Sequence, residues 1–288
     1  MIIGPKTEGV LYHYTSQKGL RGIVEDRLLK ISSVYYMNDA NEIRYGAELF
    51  KGVVVKRRGQ ETNRAIFDFL TELTDCVDRL IGTPHTIFVF SLTEMGNLLS
   101  QWRGYTPRDG GGVSIGFSKE GLEKIATPNG FELIKCLYDR DEQLGVLNSE
   151  LDAIVAKFIV DAPSINIAGR PPTQKYLIYL NQYVERLLKA CCRLKDPFFS
   201  EEIEWRLVSK YYEKYTVPEI KFDERRTTLI PFVELPLDGI HDHGRLFEQV
   251  YVGPSPNFTL AYTAIVSFLS NKRACNVTIN SMSPDRML

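Results

Sequence analysis

Glu202 and Glu204 stand one residue apart, with Arg206 two further on, in the stretch Glu202-Ile203-Glu204-Trp205-Arg206-Leu207-Val208. Polar and apolar side chains alternate here. As a strand, the segment therefore sends Glu202, Glu204 and Arg206 to one face and Ile203, Trp205 and Leu207 to the core. A carboxylate fixed in a water-poor site stabilises the positive charge that builds at an anomeric carbon as an N-glycosidic bond breaks. Arg206 could hold Glu202 or a phosphate through a bidentate contact. A solvated sheet surface with cross-strand ion pairs accounts for the same pattern, so the segment alone leaves both readings open.

Leu11-Tyr12-His13-Tyr14-Thr15 divides in the same way, with His13 and Thr15 on one face and the tyrosines on the other. Ser16 follows as an N-cap, since its hydroxyl can accept from an early helical N–H just before Leu20, Ile23 and Val24. His13, Tyr14, Thr15 and Ser16 then form a polar cluster beside helical N–H groups that can receive phosphate or ribose oxygens. A lone strand histidine is otherwise a satisfied core or surface residue. Ser100-Gln101-Trp102-Arg103-Gly104-Tyr105 packs two aromatics and a guanidinium into a turn. Trp102 and Tyr105 could wall in a flat ring while Arg103 meets a pyrophosphate, and an aromatic cluster capping a sheet is the alternative. In Met37-Asn38-Asp39, helix capping accounts for Asp39 with Glu42 and leaves Asn38 asking for another reason. No glycine-rich phosphate loop of Walker or dinucleotide type is present.

Positioning these residues requires a sheet gathered from separated segments. Strands are expected over 10–15, 29–36, 86–92, 112–117, 203–208, 229–235, 249–252 and 274–279. Helices are expected after Ser16, after Glu42, over 62–80, as two amphipathic helices within 141–195, and over 257–271. Helices first, scattered strands and a helical hairpin before the last strands argue for α+β rather than a parallel α/β sheet. A single domain over 1–288 with a helical insertion at about 141–195 is the expected organisation.

The chain has 288 residues, 44% apolar and 11% aromatic, enough for a substantial core. Its 35 basic and 36 acidic side chains give a formal charge of -1, which provides no long-range attraction for a polyanion. Met1-Ile2-Ile3-Gly4-Pro5-Lys6 lacks a signal-peptide pattern, and no apolar stretch approaches ~20 residues, so a cytoplasmic protein without a membrane partner is expected. Five cysteines form no even framework, and Cys191-Cys192 reads as a packing pair. His241-Asp242-His243 has the only metal-like spacing but reads as a solvated loop, so no metal is expected.

Leu11-Tyr12-His13-Tyr14-Thr15-Ser16, then Gly19-Leu20, Gly22-Ile23 and Lys30-Ile31-Ser32-Ser33, resembles the opening of small bacterial ADP-ribosyltransferase-like domains. Further landmarks look like the DUF2971 family: Met37-Asn38-Asp39 with Glu42, Phe90-Ser91-Leu92, Trp102-Arg103-Gly104-Tyr105 leading into Gly112-Val113-Ser114-Ile115-Gly116-Phe117, Glu202-Ile203-Glu204-Trp205-Arg206, Val252-Gly253-Pro254 and Ser283-Pro284-Asp285-Arg286. The ADP-ribosyltransferase resemblance implies a split, strongly bent antiparallel β core with NAD as substrate between its halves. It implies that His13 contacts a ribose hydroxyl, that Glu204 is the catalytic carboxylate and that Glu202 assists the acceptor. Tyr36 or Tyr105 would stack on nicotinamide, and Ser32, Asn38 and Arg206 complete the expected nucleotide-binding set.

The expected activity is transfer of ADP-ribose from NAD to a protein, nucleic acid or small molecule, in the manner of a bacterial toxin or antiphage effector. NAD hydrolysis and a non-catalytic nucleotide-sensing or protein-interaction module are the alternatives.

Overall fold

A computed structural model describes residues 8–36, 41–82, 86–107, 111–171, 173–225, 227–240, 246–272 and 278–281. Asn38, His241-Asp242-His243 and the Ser283-Pro284-Asp285-Arg286 landmark lie outside the described residues.

The architecture is α+β, as expected. The first unit is β1 (Val10–Ser16), α1 (Gln17–Asp26) and β2 (Leu28–Ser33). Ser16 caps α1 as its sequence position predicts, accepting from the Gly19 N–H at 3.1 Å. The 29–36 segment is shorter as a strand than expected, because the chain turns into a 3-10 helix at Val34–Tyr36. Two long helices, α2 (Asn41–Gly59) and α3 (Arg64–Gly82), lead to β3 (Phe88–Thr93). Then come α4 (Leu99–Tyr105), β4 (Gly112–Ser118), α5 (Lys119–Ala126) and β5 (Phe131–Lys135). The helical region holds α6 (Arg140–Asp161), α7 (Leu177–Leu180) and α8 (Val184–Cys192). The chain returns to strands with β6 (Glu204–Ser209), β7 (Lys221–Arg225), β8 (Thr228–Pro236) and β9 (Gln249–Val252), followed by α9 (Phe258–Asn271) and β10 (Thr278–Ser281).

Strand pairing is antiparallel throughout the sheet except between β9 and β10. The sheet forks at β3. One edge of β3 runs along β6, from Val89↔Val208 to Thr93↔Glu204. The other edge is shared: β2 takes its beginning at Phe88 and Val89, while β1 meets it only at Thr93, opposite Tyr12. One branch continues β1-β4-β9-β10 and the other β2-β8-β7.

Each face of the sheet carries its own core. On one, Leu20 and Ile23 of α1, Leu122 of α5 and Ile265 of α9 pack against Phe90, Leu92, Ile115 and Leu207. On the other, Phe50 of α2, Phe69 of α3, Phe158 of α6 and Leu187 of α8 pack around Val89 and Val208. The expected helical insertion is thus one layer with α2 and α3. Gly46 of α2 allows this approach, since a Cβ there would stand 2.8 Å from the Cys191 Cα. Cys191 and Cys192 are both buried and in no disulfide, as expected of packing groups. Burial pushes the Cys191 thiol up to about 12, too high for a thiolate at neutral pH. No helix among the described residues is long and apolar enough to cross a membrane.

Candidate active site

Strand register decides what meets what. Tyr12 stands opposite Thr93, and Thr93 opposite Glu204, so these three side chains form a row on one face. Ser91 and Arg206 follow them as the next pair on β3 and β6. Alternation adds Tyr14 to the same face. The result is a small cleft lined by Tyr12, Tyr14, Ser91, Thr93, Gln101, Tyr105, Glu202 and Glu204.

Glu202 arrives by a different route from the one expected. It is not on the strand: it ends a 3-10 segment, Pro197–Glu202, whose start is capped by Asp196. Ile203 then takes a left-handed conformation, φ 41° and ψ 54°. A β-branched residue rarely adopts that region, and such strain persists only where the surroundings impose it. Here the β3 end does so on both sides of the turn: Thr93 Oγ1 donates to the Glu202 carbonyl, and the Glu94 N–H donates to the Ile203 carbonyl at 3.3 Å. The turn brings the Glu202 carboxylate beside that of Glu204.

Lys195, which no motif or spacing singles out, lies between the two carboxylates. Its ammonium, only 2% exposed, pairs with Oε2 of both Glu202 and Glu204. The helical layer positions it. Gln143 of α6 is wholly buried and donates to both the Leu137 and Lys195 carbonyls at 2.7 Å. The Phe199 ring lies 5.4 Å from Lys195 Nζ, within cation–π range.

Arg206 completes the cluster. Its Nε donates to Glu204 Oε1 at 2.8 Å, its Nη2 to Glu204 Oε2 at 3.1 Å, and its Nη1 to the Cys192 carbonyl at 2.8 Å. Among the described residues, two cations and two anions thus meet inside the protein. Burial raises Glu204, but Arg206 and Lys195 together outweigh it and hold the carboxyl at about 2. Burial dominates at Glu202, which sits above the ordinary carboxylate range despite Lys195. Of the two readings the segment left open, the solvated sheet surface is excluded, because these charges are interior. Arg206, with no exposure, is committed to Glu204 and cannot reach a phosphate.

The tyrosines of β1 have fixed roles. Tyr14 Oη donates to the Met95 carbonyl and accepts from the Leu98 N–H, both at 2.8 Å. Tyr12 Oη donates to Gln249 at 2.8 Å. Glycines make room for Tyr12: a Cβ on Gly96 would approach its ring to 2.6 Å, and one on Gly116 to 2.7 Å.

His13 points the other way. Its ring stacks on Phe90, with centroids 4.0 Å apart, on the face opposite Glu204. Its Nδ1 lies 3.0 Å from the Ser91 carbonyl, which can only accept, so Nδ1 carries the proton of the neutral ring. Burial lowers its pKa to about 4. The expectation that His13 and Glu204 line one cleft is corrected by this alternation. Thr15 shares the His13 face and packs against Gly19 of α1, and Ser16 spends its hydroxyl on the helix cap.

Among the aromatics, Tyr105 lines the cleft and is 36% exposed, whereas Tyr36 and Trp102 do not line it. Trp102 packs edge-on against Tyr14 at 4.7 Å, its Nε1 donating to Asn97 at 2.9 Å. Arg103 is exposed on α4, and Ser32 pairs with Val89 and Phe232 on β2, outside the cleft lining. A larger groove of about 430 Å³ lies between β5, α6 and α8. It is lined by exposed ion pairs such as Arg186–Glu150 and Lys189–Glu132, well suited to solvent, and does not include the buried carboxylates.

The protein is thus an α+β chain with a forked sheet and an internal carboxylate–ammonium–guanidinium cluster beside a cleft. Residues 101–207 match the model of a family described as "Protein of unknown function (DUF2971)". The matched stretch includes Gln101, Tyr105, Lys195, Glu202, Glu204 and Arg206, while β1 and β3 lie outside it. No curated protein matches the chain.

Proposed function

We propose that this chain is an NAD-dependent ADP-ribosyltransferase with an ADP-ribosyltransferase-like fold, acting at the cleft over β1, β3 and β6. The observation that carries the reading is the pairing of Glu202 and Glu204 on one buried ammonium beside a tyrosine-walled cleft. Fixed anions in a dry site are what an oxocarbenium-like transition state requires, because they need no reorganisation as charge develops. The forked sheet is consistent with a split β core. Nicotinamide would meet Tyr105 rather than Tyr36, and the ribose would face the Tyr12 and Tyr14 side of β1 rather than His13. The enclosed space is about 20 Å³, room for one water, so a nucleotide enters only as the walls part. Tyr105, the most exposed wall residue, is where that movement costs least packing.

Mass spectrometry after incubation with NAD tests the reading. An ADP-ribose adduct on a protein, nucleic acid or small-molecule acceptor supports transfer, and free ADP-ribose with nicotinamide supports hydrolysis. A second reading, a non-catalytic nucleotide-sensing or protein-interaction module, is favoured by the way the cluster satisfies its own charges. An absence of nicotinamide release with every acceptor and of any thermal shift with NAD would favour it.

A further inference from the structure

The inference rests on reading the cleft as a glycosyl-transfer site, and concerns which carboxylate reacts there. Glu204 has no oxygen to spare. Its Oε1 accepts from Arg206 Nε, and its Oε2 accepts from Arg206 Nη2 and Lys195 Nζ. A ribose hydroxyl could reach it only at the second lone pair of Oε1, beside Arg206 Nε, on a carboxylate whose charge two cations already share. Glu202 commits only Oε2, to Lys195, and its Oε1 takes no hydrogen bond among the described residues. Its side chain is also the more open of the two, 11% exposed against 5%.

The backbone is built to hold this difference. The left-handed turn at Ile203 lifts Glu202 off the strand, and the Thr93 hydroxyl fixes its carbonyl. Glu204 stays in the strand ladder opposite Thr93, with its N–H donated to the Tyr138 hydroxyl at 2.9 Å.

We propose that Glu202 is the carboxylate that meets the substrate, and that Glu204 is a positioning residue holding it through Lys195 and Arg206. In the step this implies, the bond between C1′ and the nicotinamide nitrogen breaks, and its electron pair leaves as neutral nicotinamide. The Glu202 carboxylate stabilises the positive charge at C1′. An acceptor oxygen or nitrogen, or water, attacks C1′, and its proton passes to Glu202 and on to solvent, returning the carboxylate.

The test compares Glu202→Gln, Glu202→Asp and Glu204→Gln in nicotinamide release, with melting temperature and pH profile recorded for each. Glu202→Gln should lower kcat by about 10²–10³-fold while melting within a few degrees of wild type, since a neutral amide still accepts from Lys195. Wild type should show an acid limb in kcat/KM above the ordinary carboxylate range. Among the described residues, the titratable and charged groups facing Glu202 are Lys195, Glu204, Arg206, Tyr12, Tyr14 and Tyr105, and Glu204 is held at about 2, so that limb belongs to Glu202. Glu202→Asp should keep the limb at reduced rate, and Glu202→Gln should lose it. A fully folded Glu204→Gln that is inactive beside a Glu202→Gln within threefold of wild type overturns the assignment. Where Glu204→Gln does not fold, wild-type turnover in Glu202→Gln overturns it alone. A wild type that releases no nicotinamide instead overturns the glycosyl-transfer reading beneath it.

Discussion

Arg206 grips both oxygens of Glu204, at 2.8 and 3.1 Å, from two residues along the same strand and with no exposure of its own. A buried pair of this kind is costly to break singly, because the surviving charges stay buried without their partner. Glu204→Gln should therefore destabilise the protein by about 3–5 kcal/mol. On a chain of this size the melting temperature should fall on the order of 10 °C. Differential scanning calorimetry checks this, and an unchanged transition would mean the pair carries little of the fold.

The same pair should appear in acid unfolding. The folded carboxyl is held at about 2, below its ordinary 4.5. Protons thus bind the unfolded chain first, and the Glu204 contribution, complete above 4.5, is lost as pH falls towards 2. Acid titration of Glu204→Gln should show a shallower loss of stability across that window than wild type.

His13 sets a second pH window. Its folded pKa is about 4 against an ordinary 6.5, so the unfolded chain takes up a proton that the folded chain refuses. Stability should drop as pH falls below 6.5, with about 2 kcal/mol of the loss between pH 7 and 5 due to this group. His13→Gln should remove that part of the slope in urea titrations at the two pH values. If both proteins weaken equally, His13 does not resist protonation.

Gly46 marks where α2 touches α8. An alanine methyl would come within 2.8 Å of Cys191 Cα and 2.9 Å of its carbonyl oxygen, both backbone atoms that cannot rotate away. Gly46→Ala should cost about 1–3 kcal/mol, outweighing the gain in helix propensity. Chemical denaturation reads this directly, and a more stable variant would show that the helices separate easily.

Much of this arrangement is legible in the sequence because it depends on local periodicity. β9 and the Ser16 cap fall where expected, and α9 within a residue, because local apolar runs and, at Ser16, a side-chain cap mark them. β5, α5 and β7 are not anticipated. Lys221–Arg225 carries a single apolar residue, and in Phe131–Lys135 the adjacent Leu133-Ile134 breaks the alternation, so neither gives a period-2 signal and pairing with β6 and β8 makes them strands. Alternation correctly separates His13 from Tyr12 and Tyr14. Which side faces Glu204 depends on the Tyr12↔Thr93↔Glu204 register, a property of the assembled sheet. Lys195 escapes notice because a lysine beside Asp196-Pro197 reads as solvated loop. Tertiary packing puts it in the interior: Gln143 donates to its carbonyl, and its N–H donates to the Leu137 carbonyl at 3.1 Å.

The most direct test of the account counts nicotinamide released from NAD, labelled in the nicotinamide ring, by wild type and Glu202→Gln side by side at pH 7. Release by wild type is expected, with a loss of at least about a hundredfold in the variant at nearly unchanged melting temperature. Equal release by both proteins, or none by wild type with any acceptor, would contradict it.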